Sequence, residues 1–412
     1  MARLLVGELP DATVTLVSTP RLHSTIRFHA LPFAPGDHGL PAGCESTSSL
    51  TVPAFITLFE AFETLQPAFE EYVSGLRRES GGEAGICIVA DPFVSWTVDV
   101  ARRHGCKHAV FVSCGAFGTA IFHALWNHVP EMPFGSDGML RLPEHPEVVL
   151  HWSQLSLDFL LRGDLRDRWT AYYHRVIRYG HRTDDVLANT VEEVEPTRLA
   201  KMRRAACKVP VWPIGALVRG DDSGVSSQAD DGVLRWLDTQ PPSSVLYISF
   251  GLETTGPFRD EWLPERFEAR ARAGNRGLVV RGWAPQVRIL AHGATGAFLS
   301  HCGWNSVLES MAHGVPVVGW PLAAEQFYNV WMLAEEWGVC VELARGNLVE
   351  SSAVERSKVA EVVETVMGDT VVSAAMRRRV LEVQEVMKSA WRQDGGSSRT
   401  ALHEFLRAMQ LQ

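Results

Sequence analysis

The sequence predicts an α/β protein of two domains, each a parallel sheet wrapped by helices. Three observations lead there. Short apolar runs recur along the chain, GICIVA at Gly85–Ala90, HAVFVS at His108–Ser113, SVLYISFG at Ser244–Gly251 and GAFLS at Gly296–Ser300, each ending in a small residue. Continuous rather than alternating apolarity marks strands buried on both faces. Stretches of helical periodicity follow them, as at Phe93–His104, Ala116–Asn127 and Val307–His313. Finally, 412 residues exceed one ordinary core, and the polar stretch Ala216–Asp231, rich in Gly, Ser and Asp, reads as a linker. The domains are therefore placed at 1–215 and 232–412, joined by 216–231.

The remaining elements follow in order. Ala12–Thr19 reads as a strand, and after Arg27–Pro35 and a Gly/Pro-rich loop the spacing predicts one long helix over Val52–Arg78. Helices are expected at Arg166–Gly180 and Glu192–Arg204, and strands at Asp185–Thr190 and Lys208–Ile214. Beyond the linker come a helix at Gly232–Asp238, a strand at Gly277–Trp283, a helix at Phe327–Trp337 and a strand at Gly338–Leu343. Helices at Ser352–Met367, Val371–Ala390 and Ser397–Met409 close the chain.

Composition narrows the function. With 46% hydrophobic and 21% charged residues the chain is globular, and a net charge of −9 argues against nucleic acid or an anionic membrane as partner. The seven cysteines form no CxxC pair and lie in apolar runs, the pattern of reduced thiols in a cytoplasmic protein. No apolar run reaches the roughly 18 residues of a membrane span, so no membrane insertion is expected. No carboxylates cluster at metal-ligand spacing, so neither metal nor cofactor is expected.

The chemistry concentrates between Trp283 and Gln326. A buried strand, Gly296–Ser300, delivers HCGWNS directly to a helix that Gly314 and Pro316 stop. Such a junction presents unpaired backbone N–H groups and the positive end of a helix dipole, which together hold phosphate. His301, Gly303, Asn305 and Ser306 sit at it, and Glu309 lies one helical turn beyond Asn305, on the same face. A Cys302–His301 nucleophile is disfavoured, because adjacent residues at a strand end point opposite ways.

This stretch resembles the signature box of plant UDP-dependent glycosyltransferases, family 1 enzymes of GT-B fold. Trp283, Pro285, Gln286, HCGWNS, Glu309, Gly314–Pro316, Pro321, Glu325 and Gln326 all fall in register with it. The resemblance implies two Rossmann-like domains facing across a cleft. It also implies that Trp283 stacks on uracil while the backbone of Ala284 and Gln286 binds its edge. Glu309 would take the ribose, His301, Asn305 and Ser306 the diphosphate, and Trp304, Glu325 and Gln326 the sugar, a closing Gln favouring glucose.

In the other domain ADPFVSWTVDVA resembles the segment whose carboxylate, here Asp91, orients the family's catalytic histidine; read alone, Asp91 is equally a helix cap. Ser113 is a candidate sugar contact. The histidine itself belongs to a loop after a first strand that this sequence lacks, so a truncated N-terminal domain is expected. The family also carries a helix and strand between Gly251 and Trp283 for which this chain is too short, and Leu252 replaces a phosphate-touching hydroxyl. Two readings follow. One is a monomeric enzyme transferring glucose from UDP-glucose, with inversion, to a hydroxyl of a small lipophilic phenolic acceptor. The other is a non-catalytic remnant that retains part of a UDP-sugar surface.

Overall fold

A computed structural model describes residues 1–9, 12–18, 26–47, 50–81, 85–128, 137–156, 159, 167–205, 209–218, 228–251, 263–282, 284–345 and 354–411. The chain folds as two compact units, one of Met1–Leu217 with Met387–Gln412 and one of Val218–Val386.

The first unit holds strands β1 (Thr15–Ser18), β2 (Arg27–Ala30), β3 (Cys87–Ala90), β4 (Lys107–Val112), β5 (Met139–Leu142), β6 (His145–His151), β7 (Asp185–Ala188) and β8 (Val211–Pro213). Four of them form a parallel sheet in the order β3-β4-β7-β8, β1 and β2 form a parallel pair, and β5 and β6 an antiparallel hairpin. Parallel neighbours need helical crossovers, which is why the apolar strand runs alternate with helical periodicity in the sequence. One face of the sheet closes on the chain's last helix, Ser397–Ala408. Its Leu402, Phe405 and Leu406 pack with Leu5, Leu9, Ala109, Leu187 and Ile214. Each such fully buried side chain contributes roughly 1.5–3 kcal/mol. Phe69, Val73, Trp96 and Val100 build the other layer.

The second unit is a parallel sheet of β9 (Val245–Ser249), β10 (Thr295–Ser300), β11 (Val317–Gly319) and β12 (Cys340–Glu342), in the order β12-β11-β10-β9. All six residues of β10 are buried, as the central position demands. Among the described residues β9 is the edge, and its Ile248 is 54% exposed.

Four expectations change. The helix over Val52–Arg78 is two, Val52–Glu63 and Gln66–Glu79, parted at Thr64–Leu65 because Pro67 offers no N–H and can stand only in the first turn of a new helix. Residues 92–94 make a 3-10 turn before the helix Thr97–Arg103. The described part of Gly277–Trp283 joins no strand ladder. That segment has the side chains of a strand but no described neighbour to share backbone hydrogen bonds with. A helix, Phe267–Ala273, stands before Gly277, where sequence placed none. The hairpin β5–β6 was not anticipated, although Leu140, Leu142, Val148 and Leu150 are buried while Arg141 and Glu147 are exposed, the alternation of a half-buried ribbon.

Candidate active site

The carboxyl end of β10 turns sharply into the helix Trp304–Ala312. Cys302 takes the left-handed conformation with φ 63°, its N–H donating to the Ser300 Oγ at 3.0 Å, and Gly303 precedes the first helical residue without any side-chain cap. The first N–H groups of a helix have no intrahelical acceptor, and here the N-cap glycine supplies none from a side chain.

The His301 ring lies in a slot between two glycines. A Cβ on Gly303 would stand 2.6 Å from its Nε2 and one on Gly251 2.8 Å from its Cε1, so a side chain at either position would displace the imidazole. Gly251, at φ 69°, also needs the left-handed freedom that glycine has. Burial holds the His301 pKa below its ordinary value, against an opposing pull from the Ser249 backbone, and its buried Nδ1 finds no hydrogen-bond partner. The imidazole is thus neutral at neutral pH and able to donate one N–H.

Gln286 gathers two other residues that the resemblance assigns to the ligand. Its Nε2 donates to the Ser306 Oγ at 3.1 Å and to the Glu309 Oε2 at 2.8 Å, while its Oε1 accepts from the Tyr247 hydroxyl at 3.3 Å. Tyr247 is itself stacked on Phe298 with ring centroids 4.9 Å apart. Three residues singled out from sequence, Gln286, Ser306 and Glu309, are thereby joined in one network. The Gln286 N–H is engaged by the Ala284 carbonyl at 2.8 Å. Asn305 is exposed on the first turn of the helix. Trp283, and Leu252 with it, lie outside the described residues.

Of the residues assigned to the sugar, Trp304 has a buried indole, edge-on to Trp337. Gln326 is also buried, and its Oε1 accepts from the Leu322 and Ala323 N–H groups at 2.8 and 3.0 Å. It shapes the loop that presents half-buried Glu325 at the start of the helix Gln326–Trp331. Asn329, which sequence reasoning passed over, is fully buried and donates to the Cys302 carbonyl at 3.0 Å.

In the first unit Asp91 ends β3 and its carboxylate accepts from the Phe93 N–H at 2.9 Å, the capping geometry that sequence alone left open. Desolvation raises its pKa and that backbone bond opposes the rise. Phe93 beside it is 38% exposed and stacks on Phe59 at 4.7 Å. Ser113, half-buried, follows β4. The next helix, Ala116–Asn127, is stopped at its N-terminus by buried Glu195, which accepts from the Ala116 and Phe117 N–H groups at 3.0 and 2.8 Å and from the Thr190 hydroxyl. Glu195 was missed because VEEVEP looks like a solvated acidic turn.

Two α/β units with parallel sheets, one ending in a phosphate-suited turn, define a nucleotide-sugar-dependent transferase of GT-B fold. A Siraitia grosvenorii UGT transferase in complex with UDP superposes with a TM-score of 0.79 at 26% identity, over 99% of this chain and 95% of that one. The Glycyrrhiza uralensis UGT complexed with glycyrrhetinic acid 3-O-monoglucuronide gives 0.81 at 26%, over 99% and 91%. In sequence the chain is 33% identical to UDP-glycosyltransferase 92A1 of Arabidopsis thaliana, over 98% of this chain and 91% of that protein. It is 36% identical to crocetin glucosyltransferase 3 of Crocus sativus, over 86% and 85%. The profile described as "UDP-glucoronosyl and UDP-glucosyl transferase" matches residues 264–380. The chain belongs to this family and is a UDP-glycosyltransferase. Its alignment with the Arabidopsis protein runs over 451 positions against 412 residues here, so that relative carries segments this chain lacks. Among the described residues no helix is long and apolar enough to cross a membrane.

Proposed function

We propose that the chain transfers glucose from UDP-glucose to a hydroxyl of a small lipophilic acceptor, with inversion at the anomeric carbon and without a metal. One observation carries the reading: the uncapped helix after β10, the His301 slot and the Gln286–Ser306–Glu309 network meet at one strand end. Glu309 accepts from ribose hydroxyls, and Trp283 is the resemblance's platform for uracil. His301, Asn305, Ser306 and the helix N-terminus face the diphosphate. As the acceptor oxygen bonds to the anomeric carbon, the bond to the β-phosphate breaks and UDP leaves. The negative charge that grows on it is met by donors already in place. Glu325 and Gln326 are assigned to the sugar on the resemblance alone. The exposed Phe93 ring beside Asp91 supports a lipophilic acceptor, whose hydroxyl must give up its proton on that side.

Titrating UDP-glucose calorimetrically into wild type and His301→Ala tests the pocket. The variant should bind about tenfold more weakly or worse, the scale of a lost charge-assisted hydrogen bond. Equal affinities would sink the assignment. Release of UDP with a panel of phenolic and aliphatic alcohols then defines the acceptor class, and no release with any of them would favour the non-catalytic reading.

A further inference from the structure

The turn that carries His301 is not held by its own residues alone. Cys302 is fully buried at φ 63°, a conformation that a residue with a Cβ avoids unless its surroundings impose it. Inside the turn, the Ser300 Oγ accepts the Cys302 N–H. The Cys302 carbonyl accepts from the Asn329 amide at 3.0 Å. Asn329 stands on the helix Gln326–Trp331, immediately after Glu325, and its own N–H donates to the Glu325 carbonyl at 3.0 Å. The same residue is thus bonded to the Cys302 end of the phosphate turn and to the backbone of the residue assigned to the sugar.

Its burial is costly. Asn329 has no exposed surface, and its Oδ1 is buried with no hydrogen-bond partner. The unpaired Oδ1 offsets part of what the bond to the Cys302 carbonyl contributes, so the residue is a poor choice for packing alone.

We propose that Asn329 is a positioning residue for donor binding: by holding the Cys302 carbonyl it fixes the turn so that His301 and the helix N-terminus are set for a diphosphate. The proposal rests on reading that turn as the diphosphate grip. It makes a prediction specific to one part of the ligand, because the groups assigned to uridine, Gln286 and Glu309, lie in a network that includes neither Asn329 nor Cys302. Loss of the amide should weaken binding of the diphosphate and leave binding of the nucleoside alone.

The experiment compares UDP and uridine affinities by calorimetry in the full chain, for wild type, Asn329→Leu and Asn329→Asp. Leucine removes the amide at similar volume, and aspartate keeps the shape, but burial favours its protonated, donating form, which makes leucine the decisive variant. Leucine should lose about tenfold or more for UDP and less than about twofold for uridine while staying folded, its melting temperature lowered only by the one carbonyl it leaves unpaired, and aspartate should fall between leucine and wild type. Adding Cys302→Gly to Asn329→Leu should restore most of the UDP affinity, since glycine adopts the turn unaided. Folded variants that keep the wild-type preference for UDP over uridine overturn the proposal. So does failure of both to fold, which would make the amide a support of the whole unit. If wild type itself shows no preference for UDP over uridine, it is the diphosphate reading that fails, and the proposal goes with it.

Discussion

The helix after β4 and the helix after β10 begin alike, each following the carboxyl end of a parallel strand, yet their N-termini are used in opposite ways. At Ala116–Asn127 the opening N–H groups are spent on the buried Glu195 carboxylate, at 3.0 and 2.8 Å. At Trp304–Ala312 no side chain caps the helix, and His301 just before it is held neutral by burial. An anion belongs at both ends for the same electrostatic reason. In one unit the chain supplies a carboxylate of its own, and in the other no side chain caps the helix, where the proposed reading puts a phosphate. The comparison teaches that a strand–turn–helix junction becomes a binding site through what the rest of the sequence withholds from it.

The sharpest way to break the comparison is to remove the resident anion. Glu195→Ala strands two backbone N–H groups in the core and should destabilise the first unit by roughly 3 kcal/mol, with UDP affinity unchanged. Hydrogen exchange followed peptide by peptide reads both units at once. Protection lost equally in Val218–Val386, or a fall in UDP affinity, would show that the two N-termini are not independent.

A smaller effect is expected at the nucleoside network. Gln286→Leu removes the donor shared by Ser306 and Glu309, so Glu309 is freed to swing. Uridine and UDP affinities should both fall by about fivefold, close to one hydrogen bond's net worth of about 1 kcal/mol. An unaltered uridine affinity would mean that Glu309 needs no such orientation.

The elements that sequence exposed most fully are those whose physics is local. The helices Ala116–Asn127 and Val371–Ala390 are bounded as their periodicity predicts, and β10 as a buried apolar run closed by a polar turn. What stayed hidden depends on partners distant in the chain. The hairpin β5–β6 turns at Pro143–Glu144, without the Gly or Asn that announces such turns. The run at Gly277–Trp283 is written like a strand, but strand formation is settled by a neighbour, which no residue within it encodes. Glu195 and Asn329 look like ordinary polar surface until burial reveals that the first serves two backbone N–H groups elsewhere and the second one backbone carbonyl.

The smallest effect, and the one that separates the two strand ends most cleanly, is expected at Asp91. Its carboxylate accepts one backbone N–H, which an asparagine carbonyl accepts equally well, so Asp91→Asn keeps the cap and removes only the charge. Asp91 is exposed at the surface, yet the atoms packed around its carboxyl desolvate it enough to raise the pKa above the ordinary aspartate value, against the opposing Phe93 N–H, so the effect is small. The folded chain therefore binds this proton more tightly than the unfolded chain. The contribution to stability is complete below the ordinary aspartate range and is lost as pH rises through the folded-state value. Urea midpoints measured from about pH 3 to pH 7 should fall with pH more steeply in wild type than in Asp91→Asn, and the variant should be equal or slightly more stable at neutral pH. A less stable variant there would mean that the ionised carboxylate is supported by a partner other than the Phe93 N–H. If the expected result holds, the chain retains at the end of β3 a charge that does nothing for its fold, as it leaves at the end of β10 a helix terminus uncapped; in both places the unmet electrostatics is what a reacting ligand would find.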